Sequence, residues 1–139
     1  MRFLVDTNVF IDLIMKRKPF FNDGVNFLNY CKKQRHEIYI NAMSFRDIEY
    51  VIRKQLDKKT VKFVLNRVYG IVTKIIPLAP DDAINAIFDY EKDFEDSMID
   101  SSCQSACLDC IITNNKKDFI NSKSKVFSVP EINKILQKM

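Results

Sequence analysis

Phe3-Leu4-Val5-Asp6-Thr7-Asn8 sets three apolar residues directly against three polar ones. A short apolar run ending at a carboxylate reads as a strand buried on both faces, the habit of parallel sheets. Four more short runs have the same character: Glu37–Ile40, Thr73–Ile76, Cys110–Thr113 and Lys125–Ser128. Helical patterns separate them. Asn8 caps a helix reaching Met15, and a second runs from about Phe21 to Lys33. Ser44 caps a third, with Phe45, Ile48, Val51, Ile52 and Leu56 on its inner stripe. Lys58 to Val68 places Val61, Val64, Leu65 and Val68 on one face, and Gly70 stops it. Ala83–Tyr90 and Asp93 to about Cys107 follow, and Pro130 opens a terminal helix. Strands alternating with helices predict an α/β fold around a mostly parallel sheet covered on both faces.

Composition supports that reading. In 139 residues, 47% are hydrophobic, including 11 Phe and 5 Tyr, which supplies a core for one domain and excludes disorder. With 2 Gly and 4 Pro the chain is neither collagen-like nor of low complexity. No apolar run approaches the roughly 18 residues of a membrane span. Asp6 interrupts the first apolar stretch too early for a signal peptide. The 4 Cys are too few for a disulfide scaffold, so a cytoplasmic protein without a membrane partner is expected. The net charge of +4 hides a separation. Lys16 to Lys74 holds 14 Lys or Arg against 5 Asp or Glu, whereas Asp81 to Asp109 holds 9 acids and 1 Lys. This asymmetry predicts a polyanionic partner on one part and a cation or basic partner on another.

Ligands of open parallel sheets bind beyond the carboxyl ends of the strands, so the residues after each strand carry the chemistry. They are Asp6, Thr7 and Asn8 after the first strand, and Asp47 in the helix after the second. Asp93 and Asp96 open the helix leading into the fourth, which is followed by Thr113, Asn114, Asn115 and Asp118. Singly, each has a structural explanation. Asp6 can cap a helix, and Ser44-x-x-Asp47 and Asp93-x-x-Asp96 both resemble capping boxes. Glu49 stands four residues before Arg53, as a solvated ion pair would. Jointly, caps do not explain why four segments deliver Asp or Asn to one edge. Two unit charges about 4 Å apart repel by roughly 4 kcal/mol at an effective dielectric near 20, so such a cluster calls for a cation. Oxygen-only ligands select Mg²⁺ or Mn²⁺. Beside a basic surface, that arrangement suits hydrolysis of a nucleic-acid phosphodiester.

These stretches resemble the motifs of the PIN-domain ribonucleases, the fold of VapC-type toxins. Phe3-Leu4-Val5-Asp6-Thr7-Asn8-Val9 is similar to the family's opening strand, and Asn41-Ala42-Met43-Ser44-Phe45-Arg46-Asp47-Ile48 to its second motif. Asp93-Phe94-Glu95-Asp96 resembles the third, Ile111 to Phe119 the fourth, and Val126 to Pro130 the closing strand with its proline. The resemblance implies a three-layer α/β/α domain over residues 1–139 with a five-stranded parallel sheet. It implies a Mg²⁺-dependent (or Mn²⁺-dependent) endoribonuclease with Asp6, Asp47, Asp96 and Asn115 as catalytic residues. The first three would hold the metal, with Asp93, Asp118, Asn8, Thr113 and Glu49 as further candidates. It also implies an RNA substrate, a small antitoxin and a homodimer. Three positions depart from the pattern: Asp47 stands where Glu is commoner, Asn115 replaces an Asp, and Asn114 stands where Arg is frequent.

Other chemistries fare worse. Cys103, Cys107 and Cys110 lack the paired-knuckle spacing of zinc sites and read as small buried residues. His36 is the sole His, at a loop edge, which disfavours Ser-His-Asp and Cys-His catalysis. The runs Lys16-Arg17-Lys18 and Lys58-Lys59 with Lys62 are candidate contacts for RNA phosphates or else solvated faces. Two rivals to the nuclease are a nucleic-acid-binding module on the same fold without catalysis, and a phospho-acceptor domain using Asp6.

Overall fold

The computed structural model describes residues 1–139. The strands are β1 (Arg2–Val5), β2 (Glu37–Asn41), β3 (Lys74–Ile76), β4 (Cys110–Thr113) and β5 (Val126–Ser128). All pair in parallel, in the order β3-β2-β1-β4-β5. The helices are α1 (Thr7–Ile14), α2 (Phe20–Gln34), α3 (Ala42–Ile52), α4 (Lys58–Ile71), α5 (Pro80–Asp89), α6 (Phe94–Ser105) and α7 (Val129–Gln137). A 3₁₀ turn occupies Lys116–Phe119.

Period-two alternation sorts the strand residues onto two cores. Phe3, Val5, Ile38, Ile40, Cys110 and Ile112 face the larger one, packed with residues of α1, α2, α3, α4 and α7. Leu4, Tyr39 and Ile111 face the smaller, where Ile99 and Cys103 of α6 meet Leu108 and Phe119. The register that pairs Leu4 with Tyr39 and Ile111 keeps each row on its own face. The result is the expected three-layer α/β/α sandwich. No helix is long and apolar enough to cross a membrane.

Three expected helix signals are corrected. Asp6, not Asn8, caps α1, its carboxylate accepting from the Thr7 amide. Asn41, not Ser44, caps α3, because the helix starts directly off β2 and Asn41 Oδ1 accepts from the Met43 amide at 2.9 Å. Ser44 is therefore buried inside the first turn, and Ser44-x-x-Asp47 is no capping box. Gly70 does not stop α4, which runs on to Ile71. At the other end of the chain, Ser128 and Glu131 do form a reciprocal capping box at α7, with Pro130 in its first turn.

Candidate functional site

From the central strand β1 the chain first builds outward to β2 and β3, then crosses to β4 on the opposite side. The strand order thus reverses between β1 and β4, and the crevice beyond their carboxyl ends is the usual ligand position of such sheets. Asp6 leaves β1 there and Thr113 ends β4 there. Asp6 is 8% exposed, and both of its oxygens have donors: Thr7 N at 2.9 Å and Thr113 Oγ1 at 2.9 Å. Thr113 Oγ1 in turn accepts from Asn8 Nδ2 at 3.3 Å and from the Asn115 amide at 3.0 Å. Burial still outweighs these bonds and pushes the Asp6 carboxyl up to about 6.

Across the crevice, one carboxylate oxygen from each of Asp93, Asp96 and Asp118 lies within 4.8 Å of the others. Asp93 caps α6 by accepting from the Asp96 amide at 2.9 Å, which delivers Asp96 to the site in the first turn. Asp118 arrives from the 3₁₀ turn, where Asn115 Nδ2 donates to it. Lys92 Nζ stands 3.7 Å from its other oxygen. The Asp96 carboxyl is raised to about 8, first by burial and then by the charges of Asp6, Asp93, Asp118 and Glu95. Asp6 leads those charges, so the strand side and the helix side form one electrostatic unit.

Asp47 joins from α3. Its Oδ2 is buried with no hydrogen-bond partner, and its carboxylate faces Glu95. That contact, followed by burial and by the charges of Asp47, Asp93 and Asp6, raises the Glu95 carboxyl to about 7. Six acids at one edge, Asp47 among them with an orphaned oxygen, fit a hard divalent cation, since the donors are all oxygen. An Mg²⁺ ion holds opposite ligands about 4.2 Å apart and neighbouring ones about 3 Å apart, so the Asp93–Asp96–Asp118 set would draw in by up to about 1.8 Å to share one ion.

The residues read from sequence divide accordingly. Asp6, Asp96, Asp93, Asp118, Asn115, Asn8 and Thr113 meet at the β1–β4 crevice. The close carboxylate set differs from the expected Asp6, Asp47 and Asp96: only Asp96 belongs to both. Asp47 lies against Glu95 instead. Glu49 pairs with Arg53 at 3.4 Å on α3 and stays outside the acidic group. Lys16, Arg17, Lys18, Lys58, Lys59 and Lys62 are all exposed. Sequence reasoning missed Glu95, Lys92 and Asp12. The lone basic residue of the acidic 81–109 stretch was the signal for Lys92; Glu95 and Asp12 acquire their partners only from other elements.

An open parallel α/β sandwich with an acidic crevice at its strand-order reversal defines the class of this protein. The PIN domain profile matches residues 2–117, and the chain belongs to the PIN domain family. No curated protein matches it in sequence. Solved structures that share its fold include FitAcB from Neisseria gonorrhoeae, with a TM-score of 0.70 at 19% identity over 91% of this chain and 97% of that one. VapBC2 from Rickettsia felis, bound to a DNA fragment from their promoter, gives 0.68 at 16% identity over 92% and 98%. A toxin–antitoxin complex from Klebsiella pneumoniae gives 0.66 at 21% identity over 91% and 96%.

Proposed function

We propose that the chain is a single-domain, metal-dependent endoribonuclease acting as the toxin of a toxin–antitoxin pair. The observation that carries this reading is the Asp93–Asp96–Asp118 set within 4.8 Å, coupled to Asp6 across the β1–β4 crevice. PIN domains are generally nucleases. The toxin role is supported by the toxin–antitoxin complex among the structures of like fold.

Asp96, Asp93 and Asp118 would hold Mg²⁺ or Mn²⁺ with Asp6 beside them, and Asp47 with Asn115 would complete the surroundings. The ion, when bound, supplies Lewis acidity toward a phosphate oxygen and lowers the pKa of a bound water. Thr113 and Asn8 keep Asp6 oriented. Asn115 steers Asp118 through its amide. Glu95, opposite Asp47 and beside the acids that would hold the ion, is placed to accept or return a proton. Lys16, Arg17, Lys18, Lys58, Lys59 and Lys62 would hold RNA phosphates around the acidic crevice. Ile84, Ile87 and Phe88, exposed by 48%, 60% and 81% along one face of α5, favour a protein partner, whether an antitoxin or a second copy. A cytoplasmic location accords with that biology.

Purified protein incubated with mixed RNA and Mg²⁺, then with excess chelator, tests the reading. Cleavage that stops on chelation and is absent in Asp96→Asn supports it. Binding without cleavage favours the inactive module, and uptake of phosphate from acetyl phosphate favours the phospho-acceptor.

A further inference from the structure

A chain of side chains leads away from Asp6 and ends at Arg17. Asn8, which bonds to Thr113, also accepts from the Asn114 amide through Oδ1 at 3.0 Å. Asn114 Nδ2 donates to Asp12 Oδ2 at 2.8 Å, and the other oxygen of Asp12 lies 3.6 Å from Arg17 NH1. The backbone repeats the link, because the Arg17 amide donates to the Asp12 carbonyl at 2.9 Å. We propose that Asn8, Asn114 and Asp12 form a relay that fixes the Arg17 guanidinium as the grip for a nucleic-acid phosphate flanking the one cleaved.

Asp12 is the telling residue. It is 6% exposed and sits among Val9, Phe10 and Ile11, where a carboxylate without partners would be strongly unfavourable. Its two partners are the amide that follows β4 and the arginine beyond α1. The turn between is defined, not slack: Lys16 has φ 51°, the left-handed region that residues with side chains seldom adopt. Such strain persists where the surroundings over-determine it, and here it aims Arg17. The Arg17 side chain is 48% exposed, and Asp12 is its only ion-pair partner. A guanidinium carries five donors, so one edge can stay on Asp12 while the other takes a phosphate in two-pronged fashion. Six residue steps along α1 lead from its cap Asp6 to Asp12, about 9 Å along the axis, which places the grip beside the scissile position and not on it. Arg17 thus becomes the one basic side chain of the Lys16–Lys18 segment whose position is geared to Asp6.

This inference rests on the nuclease reading, and the two can fail separately. A short unstructured fluorescein-labelled RNA is titrated by anisotropy at several salt concentrations, with Asp96→Asn as parent and chelator present, so that binding is read without cleavage. Arg17→Ala should weaken binding about fivefold and reduce the salt slope by about 0.7, the value for one lost contact to a single strand. Arg17→Lys should recover only part of the loss, lacking the fork. Asp12→Asn should weaken binding in the same direction, and the Asp12→Asn/Arg17→Ala double variant should bind no worse than Arg17→Ala. Where Asp12→Asn does not fold, Asn114→Ala breaks the same link from the half-buried side and carries the same expectation. Unchanged affinity and slope in Arg17→Ala, or losses that add in the double variant, overturn the relay alone. Failure of the parent and of the wild-type chain to bind RNA overturns the relay and the nuclease reading together.

Discussion

The strand side and the helix side of the crevice hold the same residue type on opposite terms. On the strand side Asp6 is buried, but Thr7, Thr113 and, through Thr113, Asn8 meet its oxygens with donors. On the helix side Asp96 faces Asp93 and Asp118, and no donor lowers its pKa. The carboxyls record the difference, about 6 for Asp6 and about 8 for Asp96. Asp6 is therefore held by donors that the fold supplies, whereas the fold leaves Asp96 electrostatically unbalanced. Burial and the charges of Asp93 and Asp118 raise both, and what separates them is the pair of hydrogen-bond donors that Asp6 has and Asp96 lacks.

The largest effect expected from breaking the helix side is on chemistry. Asp96→Asn should lower metal-dependent RNA cleavage by about a thousandfold, the scale of losing a group that organises charge at the reacting centre. Relieved of repulsion, the same variant should melt about 3 °C higher than wild type in chelator at pH 8. Discontinuous cleavage assays and calorimetry read the two outcomes, and a lower melting temperature would mean that Asp96 chiefly stabilises the first turn of α6.

Breaking the strand side should have the reverse character. Thr113→Val removes the donor to Asp6 and the acceptor for Asn8 and the Asn115 amide, leaving buried polar groups unpaired. It should destabilise the chain by about 2 kcal/mol, measured by urea denaturation with and without metal. A variant as stable as wild type would mean that Asp6 does not depend on its strand-side donors.

pH sharpens the contrast at a smaller scale. Asp96, Glu95 and Asp6 all have carboxyls raised above their ordinary values, so between about pH 4 and 8 the native state binds more protons than the unfolded chain. The stability of the chelated protein should fall as pH rises through that window, and Asp96→Asn should flatten the upper part. Melting curves at successive pH values check this, and rising stability over the same range would contradict it. The smallest effect belongs to Glu49→Gln. Its pair with Arg53 is exposed, so the loss should stay under about 0.5 kcal/mol with cleavage unchanged.

The two sides also differed in how far the sequence revealed them. Short apolar, β-branched runs are local signals, and they mark Cys110–Thr113 to the residue and the other strands within a residue or two, even where β3 is mostly exposed and β5 half-buried. The Asp6 and Asp96 positions followed from what comes next to a strand. Asp93 as a cap was equally local. The sequence pattern ends the second strand at Ile40 and offers Ser44 as the cap, whereas Asn41 both ends β2 and caps α3, since nothing in the sequence marks a helix that begins without a loop. The Asp47–Glu95 contact joins α3 to α6, and the Asn114–Asp12–Arg17 link joins β4 to α1. Both depend on the β1–β4 adjacency that the strand order creates, and no spacing in the chain encodes it.

The central claim is that the helix-side carboxylates demand a cation that the strand side does not. Calorimetric titration of Mn²⁺ near neutral pH, in two buffers of different ionisation enthalpy, tests it most directly. The account predicts binding by wild type, with proton release into the buffer as the Asp96 carboxyl gives up its proton, and a marked loss of both in Asp96→Asn. No binding by wild type, or Mn²⁺ affinity unchanged in Asp96→Asn, would contradict it.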